Sequence, residues 1–63
     1  MLGARIRRVR VARGLTQRQV AEGAKVAKNY ITMLETGWRK NCSLPVLRRI
    51  AKALGVPPAE LLE

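Results

Sequence analysis

TQRQVAEGAKVAKNYITMLETG, residues 16–37, decides the fold, because it predicts two short helices joined by a tight turn. Thr16 and Gln19 have the spacing of a capping box, which begins the first of these helices. The helical pattern of apolar residues breaks around Lys25. Gly37 suits the left-handed residue that ends the second helix.

The second of these helices, predicted over residues 27–36, has one apolar face and one polar face. On a helical wheel Ala27, Ile31 and Leu34 fall together, so we expect them to pack inward. The opposite face carries a cation, an amide, two hydroxyls and a thioether, from Lys28, Asn29, Thr32, Met33 and Thr36. Such groups suit contacts to base edges in a DNA major groove, although any solvated helix face offers similar groups.

Charge and composition narrow the possible functions. Thirteen Lys and Arg residues against four acids give a formal charge of +9, which implies a polyanionic partner. The chain is 48% hydrophobic, enough for one small helical core, and we expect a single domain over residues 1–63. The N-terminus lacks the apolar region of a signal peptide, and no apolar run approaches the length of a membrane span. We therefore expect a cytoplasmic protein that does not bind membranes.

The residues that most often carry catalysis or bind metals are scarce. The chain has one cysteine and no histidine. It therefore lacks the ligands of a zinc finger and the second thiol that an internal disulfide requires. Cys42 is interpreted as a loop residue rather than a reactive thiol. Without histidine or a clustered carboxylate pair, we expect no enzyme, metal, cofactor or small-molecule ligand.

Three more helices are predicted around the central stretch. Residues 2–13 predict a helix that Gly14 ends. Ser43 is a good N-cap for a later helix that Gly55 ends, and residues 56–58 lead into a short last helix. The apolar stripe of the helix after Ser43 is expected in the core; it comprises Leu44, Leu47, Ile50, Ala51 and Leu54. Its basic stripe is expected to be solvated, with DNA contact as the alternative; it comprises Arg48, Arg49 and Lys52.

Four stretches lie in register with the pattern of one known family. They are Gly14-Leu15-Thr16-Gln17, Val20-Ala21, Ile31-x-x-Leu34-Glu35-x-Gly37 and Ile50-Ala51-x-Ala53-Leu54-Gly55-Val56. With them the chain resembles the Cro and phage-repressor family, also called lambda-repressor-like or Xre. The run Asn29-Tyr30-Ile31-Thr32 also resembles restriction–modification controller proteins, a branch of that family. The resemblance implies an all-α, compact five-helix domain in which the second and third helices form a helix-turn-helix.

The resemblance further implies a sequence-specific, double-stranded DNA-binding transcriptional regulator with its third helix in the major groove. The expected base-reading residues are Lys28, Asn29, Thr32 and Met33. The expected contacts to the DNA backbone are Gln17, Arg18, Tyr30, Thr36, Arg39, Lys40 and Asn41. For Gln17, the alternative is a solvent-exposed helix former without a role in binding. An antitoxin or another protein-interaction module of the same fold is the alternative function.

A homodimer on a near-palindromic operator is expected, because one recognition helix covers few base pairs. Leu61 and Leu62 carry more apolar surface than a two-turn helix buries alone. We expect them at the dimer interface, with one of them sealing the core.

Three further positions carry expectations about stability. In the family an arginine at the place of Arg10 pairs with a glutamate at the place of Glu35, so we expect an ion pair between the first and third helices. Lys25 stands where the turn usually has glycine, at a cost of about 1 kcal/mol or somewhat more. Ala27 replaces the usual capping hydroxyl or acid, which loses roughly another 1 kcal/mol. Trp38 is expected to shield the core, with a subunit or DNA surface as the alternative.

Overall fold

The computed structural model describes residues 1–62, and all regular structure in that part of the chain is helical. The five helices are α1 (Leu2–Ala12), α2 (Gln17–Ala24), α3 (Lys28–Thr36), α4 (Leu44–Leu54) and α5 (Ala59–Leu62). The all-α, five-helix prediction is therefore confirmed. Two predicted ranges, 2–13 and 27–36, were each one residue too long.

Local sequence signals account for most helix ends. The predicted capping box is present at α2, where the Gln19 amide donates to Thr16 Oγ1 at 3.0 Å and the Thr16 amide donates to Gln19 Oε1 at 2.8 Å. At α4 the hydroxyl of Ser43 accepts from the Val46 amide at 3.4 Å. Gly55 ends that helix in the left-handed conformation, with φ of 76°. These elements begin and end where short-range chemistry directs them.

The core lies where the five helices meet. Helix α2 packs against α3 and α4, while α1 packs against α3 and α5. The largest side chains buried there are Ile6, Val20, Ile31, Leu34, Ile50, Leu54 and Leu61. Ile31 and Leu34 contribute the inner face of α3, so that helix is held from inside by α1 and α2. Its opposite face is left at the surface.

A close approach between α1 and α3 depends on Gly3, for which the sequence analysis made no prediction. Gly3 is buried, and a Cβ atom at this position would overlap the carbonyl oxygen of Leu34. Only a residue without a side chain lets the start of α1 come this near to the end of α3. The contact holds the last turn of α3 against the first turn of α1.

Four exposure predictions were wrong. Ala27 is exposed because it is the N-cap of α3, with an extended backbone, rather than its first helical residue. Trp38 is 86% exposed, since no helix covers the loop that follows α3, and Leu44 is 50% exposed at the start of α4. Leu61 is completely buried. Its side chain belongs to the core, which confirms that one of the two C-terminal leucines seals the core and corrects the prediction of Leu61 as a dimer contact.

The described part of the chain measures 23 × 22 × 20 Å. Its longest helices, α1 and α4, have 11 residues each. Among residues 1–62, none of the helices combines the length and apolar character that crossing a bilayer requires.

Candidate nucleic-acid interface

The turn between α2 and α3 is closed by two backbone hydrogen bonds and a left-handed lysine. The Lys25 amide donates to the Glu22 carbonyl at 3.2 Å, and the Val26 amide donates to the Ala21 carbonyl at 3.0 Å. Lys25 has φ of 59° and ψ of 43°, as the family resemblance implied, and is the only non-glycine residue with positive φ within residues 1–62. A side chain in this conformation is strained, so the turn keeps its geometry at a cost in stability.

Helix α3 begins without a side-chain cap. Ala27 has the extended backbone of an N-cap but offers no oxygen to the free amides of the first turn. Lys28 and Asn29, the next two residues, are both exposed. This end of the helix therefore presents a cation, an amide and unpaired backbone N–H groups to the surroundings.

The other residues of α3 that were predicted to contact bases or the DNA backbone are partly buried or already hydrogen-bonded within the protein. Thr32 and Met33 are half-buried. Thr36 is exposed, but its hydroxyl donates to the Thr32 carbonyl at 2.9 Å, so its hydrogen is used within the helix. Tyr30 is half-buried, and the Arg39 guanidinium carbon lies 5.1 Å from the centre of its ring, within cation–π range.

An ion pair fixes the far end of α3 to α1. Arg10 Nε donates to Glu35 Oε2 at 2.7 Å, and Arg10 Nη2 donates to Glu35 Oε1 at 3.0 Å. Arg10 Nη1 also donates to the Leu15 carbonyl at 2.9 Å. The side chains of Arg10 and Glu35 are only 14% and 2% exposed. The hydrogen bond with Glu35 raises the pKa of Arg10 against the opposing effect of desolvation, with the carboxylate charge adding to the rise.

Gln17 joins this pair to the outer part of α3. Its Nε2 donates to Glu35 Oε1 at 3.0 Å, while its Oε1 accepts from the Thr32 hydroxyl at 2.6 Å. Sequence reasoning missed this network, because Gln17 is separated from Thr32 and Glu35 by 15 and 18 positions. No spacing rule within one helix links them, and they meet only when α2 and α3 pack.

The loop after α3 adds positive charge beside the helix. Gly37 leaves the helix with φ of 87°, and the Arg39 amide then donates to the Met33 carbonyl at 3.0 Å. Three loop residues predicted to contact the DNA backbone are exposed: Arg39, Lys40 and Asn41. Arg18, in the first turn of α2, is exposed as well. The polar face of α3 is thus accompanied by exposed cations from two neighbouring segments.

Cys42 and the acidic residues do not form a second kind of site. Burial raises the pKa of the Cys42 thiol, although the positive charge of Arg39 acts in the opposite direction. The thiol is therefore protonated at neutral pH, which does not favour nucleophilic chemistry. Within the described residues, no cluster of three or more His, Cys, Asp or Glu side chains is placed to hold a metal ion.

The basic stripe of α4 is not uniform. Arg48 and Lys52 are exposed, as expected of solvated cations. Arg49 has a structural contact, because its Nε donates to the carbonyl of Ala24 at 2.9 Å and so satisfies the C-terminal end of α2. Part of the positive charge on this face therefore holds α4 against α2.

Helix α2 packs against the core, a left-handed turn follows, and α3 then leaves its polar face exposed. This arrangement defines a helix-turn-helix protein. The whole chain, residues 1–63, matches the family described as helix-turn-helix domain. The chain belongs to this family.

Three proteins illustrate the relationship. Control protein C.BamHI of Bacillus amyloliquefaciens is 34% identical, over 100% of this chain and 78% of that protein. The crystal structure of the restriction-modification controller protein C.AhdI from Aeromonas hydrophila is 37% identical with a TM-score of 0.90, covering 95% of this chain and 89% of that one. A crystal structure of the biofilm regulator SinR in complex with DNA is 33% identical with a TM-score of 0.94, covering 100% of both chains.

These relatives confirm the resemblance to the repressor family and to its restriction–modification controller branch. SinR of Bacillus subtilis is an HTH-type transcriptional regulator, and this chain spans 57% of its full length. The match therefore concerns a helix-turn-helix region rather than all of that protein.

Proposed function

We propose that this protein is a sequence-specific double-stranded DNA-binding transcriptional regulator and not an enzyme, that it acts in the cytoplasm, and that residues 1–63 form one domain. The observation that carries the proposal is the construction of α3, whose inner face is buried while Lys28 and Asn29 are exposed at its uncapped start. The formal charge of +9 supports a polyanionic partner. The likeness to SinR, whose structure was solved in complex with DNA, supports the choice of DNA.

In the proposed complex α3 enters the major groove and its first turn meets the bases. Lys28 donates to the O6 and N7 acceptors of guanine, and Asn29 pairs with N6 and N7 of adenine. Met33, half-buried on the same helix, offers apolar contact to a thymine methyl group. Thr32 belongs to the predicted reading set, but its hydroxyl is bonded to Gln17.

Contacts to phosphates set the position of α3 in the groove. We assign them to the predicted residues Gln17, Arg18, Tyr30, Arg39, Lys40 and Asn41. Thr36 belongs to the predicted set, but its hydroxyl hydrogen is bonded to the Thr32 carbonyl. The cations among them contribute the salt-dependent part of the affinity, because each displaces a counterion from the DNA. Tyr30 takes part through its packing against Arg39.

Two copies would bind a near-palindromic site with half-sites about one helical turn apart. Of the two leucines predicted at the dimer interface, Leu62 remains available, because its side chain is 63% exposed. Sedimentation of the free and DNA-bound protein tests this arrangement. A protein that stays monomeric in both states would contradict it.

Selection of bound duplexes from a random library, followed by anisotropy titration across salt, tests the function. We expect an enriched site bound on the order of a thousandfold more tightly than scrambled DNA. Lys28→Ala and Asn29→Ala should relax the preference at particular base positions, by about 1–3 kcal/mol each. Arg39→Ala should weaken binding to all sequences alike and lower the salt slope by about one.

Arg48→Ala is the matched control, since Arg48 is an equally exposed arginine on the basic face of α4. It should leave both selectivity and salt slope close to those of the unaltered protein. If no site is enriched, the proposed function fails, and a protein-interaction role becomes the better explanation of the fold.

A further inference from the structure

The carboxamide of Gln17 is held from both sides, and the chemistry of its neighbours determines its orientation. Both carboxylate oxygens of Glu35 accept hydrogen bonds from Arg10, so Glu35 offers Gln17 an acceptor and the nitrogen of Gln17 must face it, at 3.0 Å. The oxygen of Gln17 therefore faces Thr32, at 2.6 Å, and the Thr32 hydroxyl must be the donor. The competing acceptor, the carbonyl of Lys28, is farther away at 3.3 Å.

We propose that Thr32 is a positioning residue: it orients Gln17 toward a DNA phosphate and does not donate to a base edge. This inference rests on the proposed function. The hydroxyl of Thr32 has one hydrogen, and the short contact commits it to Gln17. It is then unable to donate to guanine O6 or N7, the contacts that a reading residue of α3 would make.

Gln17 keeps one donor for the phosphate. Of the two Nε2 hydrogens, one is used by Glu35, and the other remains free. Gln17 is the first residue of α2 and is half-buried, so its own backbone N–H is one of the free groups that begin this helix. A phosphate oxygen placed there would accept from the free Nε2 hydrogen and from the helix start together.

The anchors on the two sides of Gln17 differ in strength. Glu35 is itself fixed by Arg10 and is almost completely buried, so this side does not move. Among residues 1–62, the Thr32 hydroxyl is the only hydrogen-bond donor to the side-chain oxygen of Gln17. Without it the terminal carboxamide torsion of Gln17 is restrained by a single hydrogen bond, because such torsions are broad. The free hydrogen would then point toward the phosphate for only part of the time.

The test compares Thr32→Val, Gln17→Ala and the double variant, each titrated with the selected duplex and with scrambled DNA. Thr32→Val should weaken binding to both duplexes by the same factor, several-fold and at most about tenfold. This is less than the roughly tenfold or more that complete loss of a hydrogen bond to a charged group costs, because the contact of Gln17 with the phosphate would be loosened and not removed. The selected base preference should not change. The salt slope should not change either, because a neutral amide displaces no counterion.

The double variant and a conservative variant separate positioning from a general structural effect. In the Gln17→Ala background Thr32→Val should cause no further loss of affinity, because the group that it orients is gone. Thr32→Ser keeps the hydroxyl and should restore the affinity of the unaltered protein. Melting temperatures of all variants, measured without DNA, check that each is folded.

A changed base preference for Thr32→Val, or losses that add in the double variant, would overturn the inference and return Thr32 to the reading set. Undiminished binding by Thr32→Val would overturn it as well. The proposed function has its own readout: if the unaltered protein enriches no site, both proposals fail. If it enriches a site and only the Thr32 results disagree, this inference alone fails.

Discussion

The two ends of α3 are held in different ways. At its C-terminal end, Glu35 is hydrogen-bonded to Arg10 and to Gln17, and Gly3 lies against the backbone of Leu34. At its start, Ala27 supplies no cap and the preceding turn contains a left-handed lysine. One end is tied to α1 and α2 through side chains, whereas the other depends on its backbone and on the core beneath it.

Stability is reduced at the N-terminal end of α3. The missing cap and the left-handed lysine each cost about 1 kcal/mol, and both lie beside the exposed Lys28 and Asn29. The C-terminal end, which is bonded to α1 and α2, sets the orientation of α3, whereas the N-terminal end remains exposed and accessible to a partner. In this account, the residues that read DNA lie at the end with fewer restraints.

The largest expected effect comes from Arg10→Met, which removes the ion pair at the C-terminal end of α3. Glu35, only 2% exposed, would be left as a buried charge without its partner, so we expect the free energy of unfolding to fall by about 3–5 kcal/mol. Urea denaturation measures this. Arg8→Met, at an exposed position of the same helix, is the control and should change stability by less than about 0.5 kcal/mol. Equal losses of unfolding free energy for Arg10→Met and Arg8→Met would contradict the claim that the ion pair holds the C-terminal end of α3.

A smaller loss is expected for Gly3→Ala. The added methyl group would overlap the Leu34 carbonyl, so α1 must shift away from α3, at a cost of about 1–3 kcal/mol. The neighbouring Ala4 is exposed, and Ala4→Ser should cost about 0.5 kcal/mol or less. Thermal unfolding of both variants compares them directly. A stabilised Gly3→Ala protein would mean that α1 and α3 are not in close contact there.

The smallest effect, and a gain, is expected at the start of α3. Lys25→Gly removes the left-handed strain and should raise the free energy of unfolding by about 1 kcal/mol. Lys25→Ala removes the same charge but retains a Cβ atom, so it should give no comparable gain. Denaturant titration distinguishes them. Similar gains from both changes would trace the effect to charge rather than to the backbone.

The parts of the fold that were predictable from the sequence have local causes. The box of Thr16 and Gln19 and the cap at Ser43 act within a single turn. The left-handed backbone of Lys25, in contrast, was implied by the family resemblance. Hydrophobic spacing then gives the inner face of α3. These signals depend on residues a few positions apart, which is why sequence reasoning finds them.

The predictions that depended on tertiary packing were less secure. Whether Trp38 is covered depends on which element lies over its loop, and nothing in its own neighbourhood decides that. The same applies to Leu61, which α5 directs into the core. The hydrogen bonds that connect Thr32, Gln17 and Glu35 join α2 to α3, and they were not predicted. The Arg10–Glu35 pair spans 25 positions, more than either of these hydrogen bonds, but the family resemblance supplied it.

The measurement that tests the central claim most directly is a map of backbone amide chemical shifts during titration with the selected duplex. It decides which of the basic surfaces meets DNA, because arginines lie on α1 and α4 as well as beside α3. We predict the largest changes at residues 17–18, 28–33 and 39–41, with little change at Val11 and Lys52. Changes confined to α1 or to the outer face of α4 would contradict the account, since the exposed start of α3 would then not be the surface that reads DNA.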